Sequence, residues 1–149
     1  ISATVMSLRG ESKTDPTTAI TPNLDIYTSN PATNTNLVSG DYTTLGSTSQ
    51  TGSPITYANW STTGYNDFTF DATGRGNVSK TEVSKFGTRN QNYDVAASAP
   101  TWSSNTVHAL NCDFAEVAST TSDPKLVVTH AEPAAVTMSY FMGSGFWGS

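Results

Sequence analysis

The sequence predicts an all-β protein, an antiparallel β-sandwich, and three observations carry that prediction. Threonine and serine supply 44 of 149 residues and only 13% of residues are charged. Such a chain is poor in the long side chains that favour helices and rich in those that suit a pleated, half-wet surface. Short apolar runs recur between clusters of Gly, Pro, Asn and Asp, the punctuation of strands joined by turns. No segment sustains helical periodicity and no internal repeat is present. The length fits one domain with one core, assigned to residues 1–133, followed by an apolar tail over 134–149.

The most explicit strand lies near the end. Asp123-Pro124 has turn chemistry, because proline presets φ and the aspartate side chain bonds the backbone ahead of it. Leu126, Val127 and Val128 follow at once as a closing strand. From the N-terminus, Ser2 to Lys13 reads as a strand with Met6 and Leu8 on one face and Arg9, Glu11 and Lys13 on the other. Asp15-Pro16 and Thr21-Pro22 mark a loop, Leu24 to Tyr27 a short strand, and Ala32 to Pro54 a long surface loop anchored by Leu37, Val38, Tyr42 and Leu45. Ile55 to Trp60 resumes strand character. Tyr65 to Asp71 places Phe68 and Phe70 opposite Asp67 and Thr69, and Gly74 to Asn77 is a turn. A strand through Val83 and Phe86 and a loop over Asn90 to Pro100 come next. Val107 to Val117 is predicted as the longest strand, with Leu110, Cys112 and Phe114 facing inward.

Charge and composition exclude several partners. A net charge of −5 with seven scattered Lys and Arg residues offers no basic stripe for nucleic acid. No apolar run approaches the ~20 residues of a membrane-spanning helix, so no membrane insertion is expected. Ile1 is not followed by a signal-peptide pattern, which implies a removed leader or another export route. The single Cys112 cannot form an internal disulfide and reads as a small buried apolar residue.

The run Gly64-Tyr65-Asn66-Asp67-Phe68-Thr69-Phe70-Asp71, then Lys85-Phe86-Gly87-Thr88-Arg89, Tyr93-Asp94, and finally Asp123-Pro124-Lys125-Leu126-Val127-Val128-Thr129-His130 resembles the DNRLRE-type β-sandwich. That is a jelly-roll module similar to carbohydrate-binding modules. The resemblance is closest to the version found in structural proteins of tailed phages and their environmental relatives. It covers Leu24 to His130 and implies a jelly-roll fold and attachment or glycan binding outside a cell, on an extracellular or virion surface, without catalysis. Ala131 to Ser149 lies beyond it, and the usual first strands are missing.

Catalytic and metal chemistry find little footing. His108 and His130 are the only histidines, no Gly-x-Ser-x-Gly elbow exists, and a small hydrolase is the weakest of the functional readings. Asp71 to Glu82 has EF-hand spacing in outline, but Arg75 stands where the ion needs an oxygen and a strand precedes the loop. No cofactor is assigned. Calcium would have Asp15, Asp67, Asp71, Asp94 and Asp123 as candidate ligands, although aspartates in such loop-rich surroundings are more often turn formers.

A glycan site needs ring faces for sugar C–H groups and amides or carboxylates at the rim. Tyr57, Asn59, Trp60, Tyr65, Asn66 and Asp67 form one candidate set, and Trp102 with Asn105 a second. In the tail, Val136, Met138 and Tyr140 share a strand face, and Phe141, Phe146 and Trp147 add apolar surface that needs covering. It returns to its own sheet or adds to an edge or groove of a neighbouring subunit, giving a homo-oligomer or a contact with other virion or surface subunits. The expected function is therefore a non-catalytic attachment module, with a structural subunit of a filament, fibre or capsid decoration as the alternative. Circular dichroism should show a β-dominated spectrum; helix above about one-third of residues, the ordinary share in globular proteins, would contradict the fold class.

Overall fold

The computed structural model describes residues 1–15, 20–101, 104–115 and 118–132. The chain is all-β, with seven strands in two antiparallel sheets among the described residues. β1 (Ala3–Thr14) is the longest, and the others are β2 (Asn23–Thr28), β3 (Ile55–Thr56), β4 (Tyr65–Thr69), β5 (Phe86–Asn90), β6 (Ala109–Cys112) and β7 (Lys125–Thr129).

β1 organises the first sheet. Val5 to Arg9 pair with Thr69 to Tyr65 of β4, while Ala3 to Ser7 pair with Thr129 to Lys125 of β7. Two partners over the same residues must take opposite edges, and β6 lies across β1 from β4. β7 and β6 thus occupy successive stretches of one edge. The β1–β6 register shifts between Gly10 and Ser12, a bulge that bends the long strand from one partner to the next. Glycine is required there by space: a Cβ on Gly10 would overlap the carbonyl oxygen of Ser61 and stand 2.9 Å from both the Trp60 indole nitrogen and the Asn66 amide.

The second sheet runs β3-β2-β5, with Leu24 to Thr28 of β2 opposite Asn90 to Phe86 of β5. Ile26 of β2 joins Leu8, Trp60, Phe68, Phe70 and Val78 in one buried cluster, so the two sheets share a core. Phe86 closes that core by meeting Phe70 edge-to-face, with centroids 5.0 Å apart. The chain between β2 and β3 is stitched on by Gln50, whose N–H donates to the Ile26 carbonyl at 2.9 Å, and by Thr51, whose hydroxyl donates to the buried Asp25 carboxylate.

Several expectations from the sequence need correction. Strand character in Ile55–Trp60 ends at Thr56. Tyr57 to Trp60 turn instead, because the Lys13 ammonium gathers the carbonyls of Tyr57, Ala58 and Trp60 at 3.0–3.2 Å. Gly74 to Gly76 belong to a helical turn, Ala72–Gly76, which Asn77 ends as the C-cap and the Asp71 carboxylate caps at its start by accepting from the Gly74 N–H at 2.9 Å. The strand predicted through Val83 starts only at Phe86. The predicted longest strand is confined to Ala109–Cys112; its end at Val117 lies outside the described residues. Phe114 is 64% exposed, because at Asp113 the backbone N–H bonds the Arg9 carbonyl and the carboxylate pairs with the Arg9 guanidinium, both at 2.9 Å, and the ladder stops.

Phe68→Ala should cost about 3–5 kcal/mol through the cavity it leaves, and Phe114→Ala less than about 1 kcal/mol. Gly10→Ala should cost about 1–3 kcal/mol by overpacking, whereas Gly52→Ala, with open space around the position, should be nearly neutral. Urea unfolding of the four variants checks the set, and equal loss from the two phenylalanine changes would contradict the facing described.

Candidate functional site

The aromatic platform expected from the sequence is largely consumed by the framework. Trp60 is 2% exposed and lies in the core cluster, so its ring face is closed to a sugar. Asn66 is buried too, and its amide bonds Ser61 N–H at 2.8 Å, Ser61 O at 3.0 Å and Leu8 O at 3.3 Å, tying the turn before β4 to β1. Tyr65 carries Lys125 over its ring at 3.8 Å and donates its hydroxyl to the carbonyls of Thr121 and Asp123, which fixes the turn leading into β7. Lys13 stands 5.1 Å from the Tyr57 ring centroid. Asn59 and Asp67 remain exposed. Asn105 holds a left-handed backbone, φ 58°, at an exposed turn, a conformation asparagine tolerates well. Trp102, Val136, Met138, Tyr140, Phe141, Phe146 and Trp147 lie outside the described residues.

A different surface has the geometry of a site. The loop before β3 and the segment leading into β5 bound a groove of about 600 Å³. Leu37, Val38, Tyr42 and Val83 line it and are 76%, 54%, 59% and 63% exposed. Half of the large hydrophobic side chains that stand exposed among the described residues therefore converge on one groove. The sequence suggested Leu37, Val38, Tyr42 and Leu45 as inward anchors of the loop; Leu45 does pack on β5, whereas the other three are exposed. They point outward because a charged residue does the anchoring: buried Asp41 accepts from the Ala32 N–H and the Val38 N–H, both at 2.9 Å. The same two bonds pull its carboxyl below the usual range, and the Lys85 ammonium at the groove adds to the effect. A 3-10 turn over Ser39–Thr44 sits across this hub, and Thr33 closes the rim by bonding both N–H and C=O of Asn36.

Beyond the turn, Leu45 packs on Gly87 of β5, where a Cβ would stand 2.6 Å from a Leu45 methyl. Arg89 then clamps the whole unit. Its guanidinium takes both oxygens of Asp94 at 2.7 and 2.9 Å, bonds the Gly46 carbonyl at 2.8 Å, and lies between the rings of Tyr27 and Tyr42, 5.8 and 5.9 Å from their centroids. Tyr42 completes it by donating to Asp94 at 2.7 Å. Asp94 sits in a π-turn over Gln91–Val95 directly after β5. The groove is thus built on bidentate and stacked contacts that fix its shape before anything binds.

Three of the five acidic candidates and His108 are engaged elsewhere. Asp71 caps its helical turn, Asp94 serves Arg89, and Asp15 lies 2.9 Å from His108 beside the last β1–β6 rung. The His108 Nε2 is buried and meets no hydrogen-bond partner among the described residues. Among the described residues no group of three His, Cys, Asp or Glu is placed to hold a metal ion, and no helix is long and apolar enough to cross a membrane. Compared with known proteins, the chain matches no family model, no curated protein and no solved structure.

The clamp has a pH signature. Hydrogen bonds from Arg89 and Tyr42 hold the Asp94 carboxyl down at about 2, against about 3.9 for a free aspartate. A depressed folded-state pKa contributes stability that is complete above the unfolded value and fades as pH falls from about 4 towards 2. With the pair partly open to solvent, about 1–2 kcal/mol is expected from this residue. Asp94→Asn should lower stability at pH 7 by that amount and flatten the acid limb of a stability–pH curve; an unchanged acid limb would mean the clamp does not hold.

Proposed function

We propose that this chain is a non-catalytic β-sandwich module that docks protein, a structural subunit of a surface or virion assembly whose principal partner is a second copy of itself. The observation that carries the reading is the preformed apolar groove. Fully burying a side chain of the size of Leu, Val or Tyr is worth roughly 1.5–3 kcal/mol, so the four that line it represent several kcal/mol available to a partner before the cost of association. A rigid groove suits docking, because the loop that forms it does not have to be ordered on binding. The position of Asp41 and Lys85 leaves the groove close to electrically neutral, which favours an apolar protein segment over a strongly charged ligand.

A sheet edge supports the same reading. Among the described residues β7 pairs only with β1, with Leu126 and Val127 42% and 57% exposed, and an exposed edge strand offers a second, weaker surface for association. Glycan attachment, which the resemblance implies, would have to use surfaces other than the Trp60 face. Sedimentation velocity of the full chain over a concentration series tests the proposal. Reversible growth beyond the monomer at micromolar concentration is expected, and a single monomeric species throughout would overturn it.

A further inference from the structure

We infer that the groove formed by the loop before β3 and the segment leading into β5 is the receptor for residues 134–149 of a second copy of this chain. The inference rests on the assembly reading above and adds the identity of the docking segment and its seat. Residues 134–149 carry no charged side chain, and they combine Val136, Met138 and Tyr140 at alternating positions with Phe141, Phe146 and Trp147. The groove matches that chemistry. It presents four exposed apolar side chains, its one cation, Lys85, acts on the buried Asp41, and its amide rim at Asn34 and Asn36 can bond the backbone of an extended segment.

Reach permits a second copy. Sixteen residues span up to ~55 Å when extended, against a radius of gyration of ~14 Å for a domain of this size, so a segment leaving the end of β7 is long enough to enter a neighbour. The edge of β7 is the weaker seat for it. Leu126 and Val127 are consecutive and lie on opposite faces of the strand, so they make no single patch, whereas Leu37, Val38, Tyr42 and Val83 line one groove. Because donor segment and receiving groove are different surfaces, the contact is head-to-tail, and it closes into a ring or extends as a filament according to the rotation between copies.

The full-length chain tests this in two ways. Leu37→Asp and Val83→Asp change exposed side chains, so folding should be retained, with thermal melting as the check. Each should weaken self-association at least about tenfold, while Val127→Asp on β7 should leave it within about twofold. In parallel, a photo-crosslinking benzoylphenylalanine at position 37, in a mixture of isotope-labelled and unlabelled chains, should capture peptides from 134–149 that carry the other chain's label. Crosslinks confined to one label would place the segment in the groove of its own chain and overturn the exchange between copies. Association that ignores Leu37→Asp and Val83→Asp but is lost with Val127→Asp would leave the assembly reading standing and overturn the seat. A monomer at every concentration would overturn both.

Discussion

The pairing of β1 with three other strands is the constraint on which the rest of the structure depends. One twelve-residue strand serves β4 on one edge and β7 then β6 on the other, and this works only because the strand bends at the Gly10 bulge. Gly10 lets the chain around Ser61 come down against β1, with the Asn66 amide bonding Leu8 and Ser61 beside it. That approach seats Trp60 in the core, and Lys13, farther along β1, ties the preceding turn through three carbonyls. A single strand therefore fixes one sheet, the bulkiest core side chain and the turn before β4. A side chain at position 10 would disturb all three together, since backbone stands where the Cβ would go.

The second sheet uses a different device, and it produces the surface with functional potential. Its loop is mostly polar, with Leu45 on Gly87 as an apolar anchor, and part-buried hydrogen bonds and a charge pair do most of the holding. Asp41 converts two loop N–H groups into a fixed turn, and Arg89 joins β5, the π-turn and the 3-10 turn through Asp94, Gly46 and two tyrosine rings. Because polar groups carry most of the anchoring, Leu37 and Val38 are free to face outward. The groove is the consequence. Exposed Leu37 and Val83 on a rigid scaffold are the arrangement of a docking surface, and a flexible loop would instead lose ordering entropy on binding.

Much of the fold was legible in the sequence where period-two patterning is undisturbed. Phe68 on β4 and Phe70 just past it point inward while Asp67 and Thr69 are exposed, as their alternation implies, and β1, β2 and β7 are found where turn residues and β-branched runs place them. The misreadings arise where one distant residue overrides a local pattern. The alternation through Leu110 and Cys112 runs on to Phe114 on paper, but Arg9 ends the ladder at Asp113, a contact between residues far apart in the chain. Tyr57 to Trp60 carry strand-forming residues, and Lys13 curls them into a turn. The candidate site was the least legible part. Apolar residues in a polar loop read as anchors by default, and only the two bonds to Asp41 reveal that they face out. A sharper signal was present in Asp41 itself, an aspartate three residues beyond Val38 with a tyrosine beside it, the pattern of a side chain that bonds nearby backbone.

The apolar residues exposed on the groove and the apolar residues of the sequence 134–149 are explained together if each covers the other between copies. The most direct measurement is amide hydrogen exchange of the full-length chain over a concentration series. The account predicts that protection of residues 33–38 and 83–87 rises with concentration in step with that of 134–149, while the β1–β4 ladder is protected throughout. Exchange at the groove that stays the same while the chain associates would contradict it.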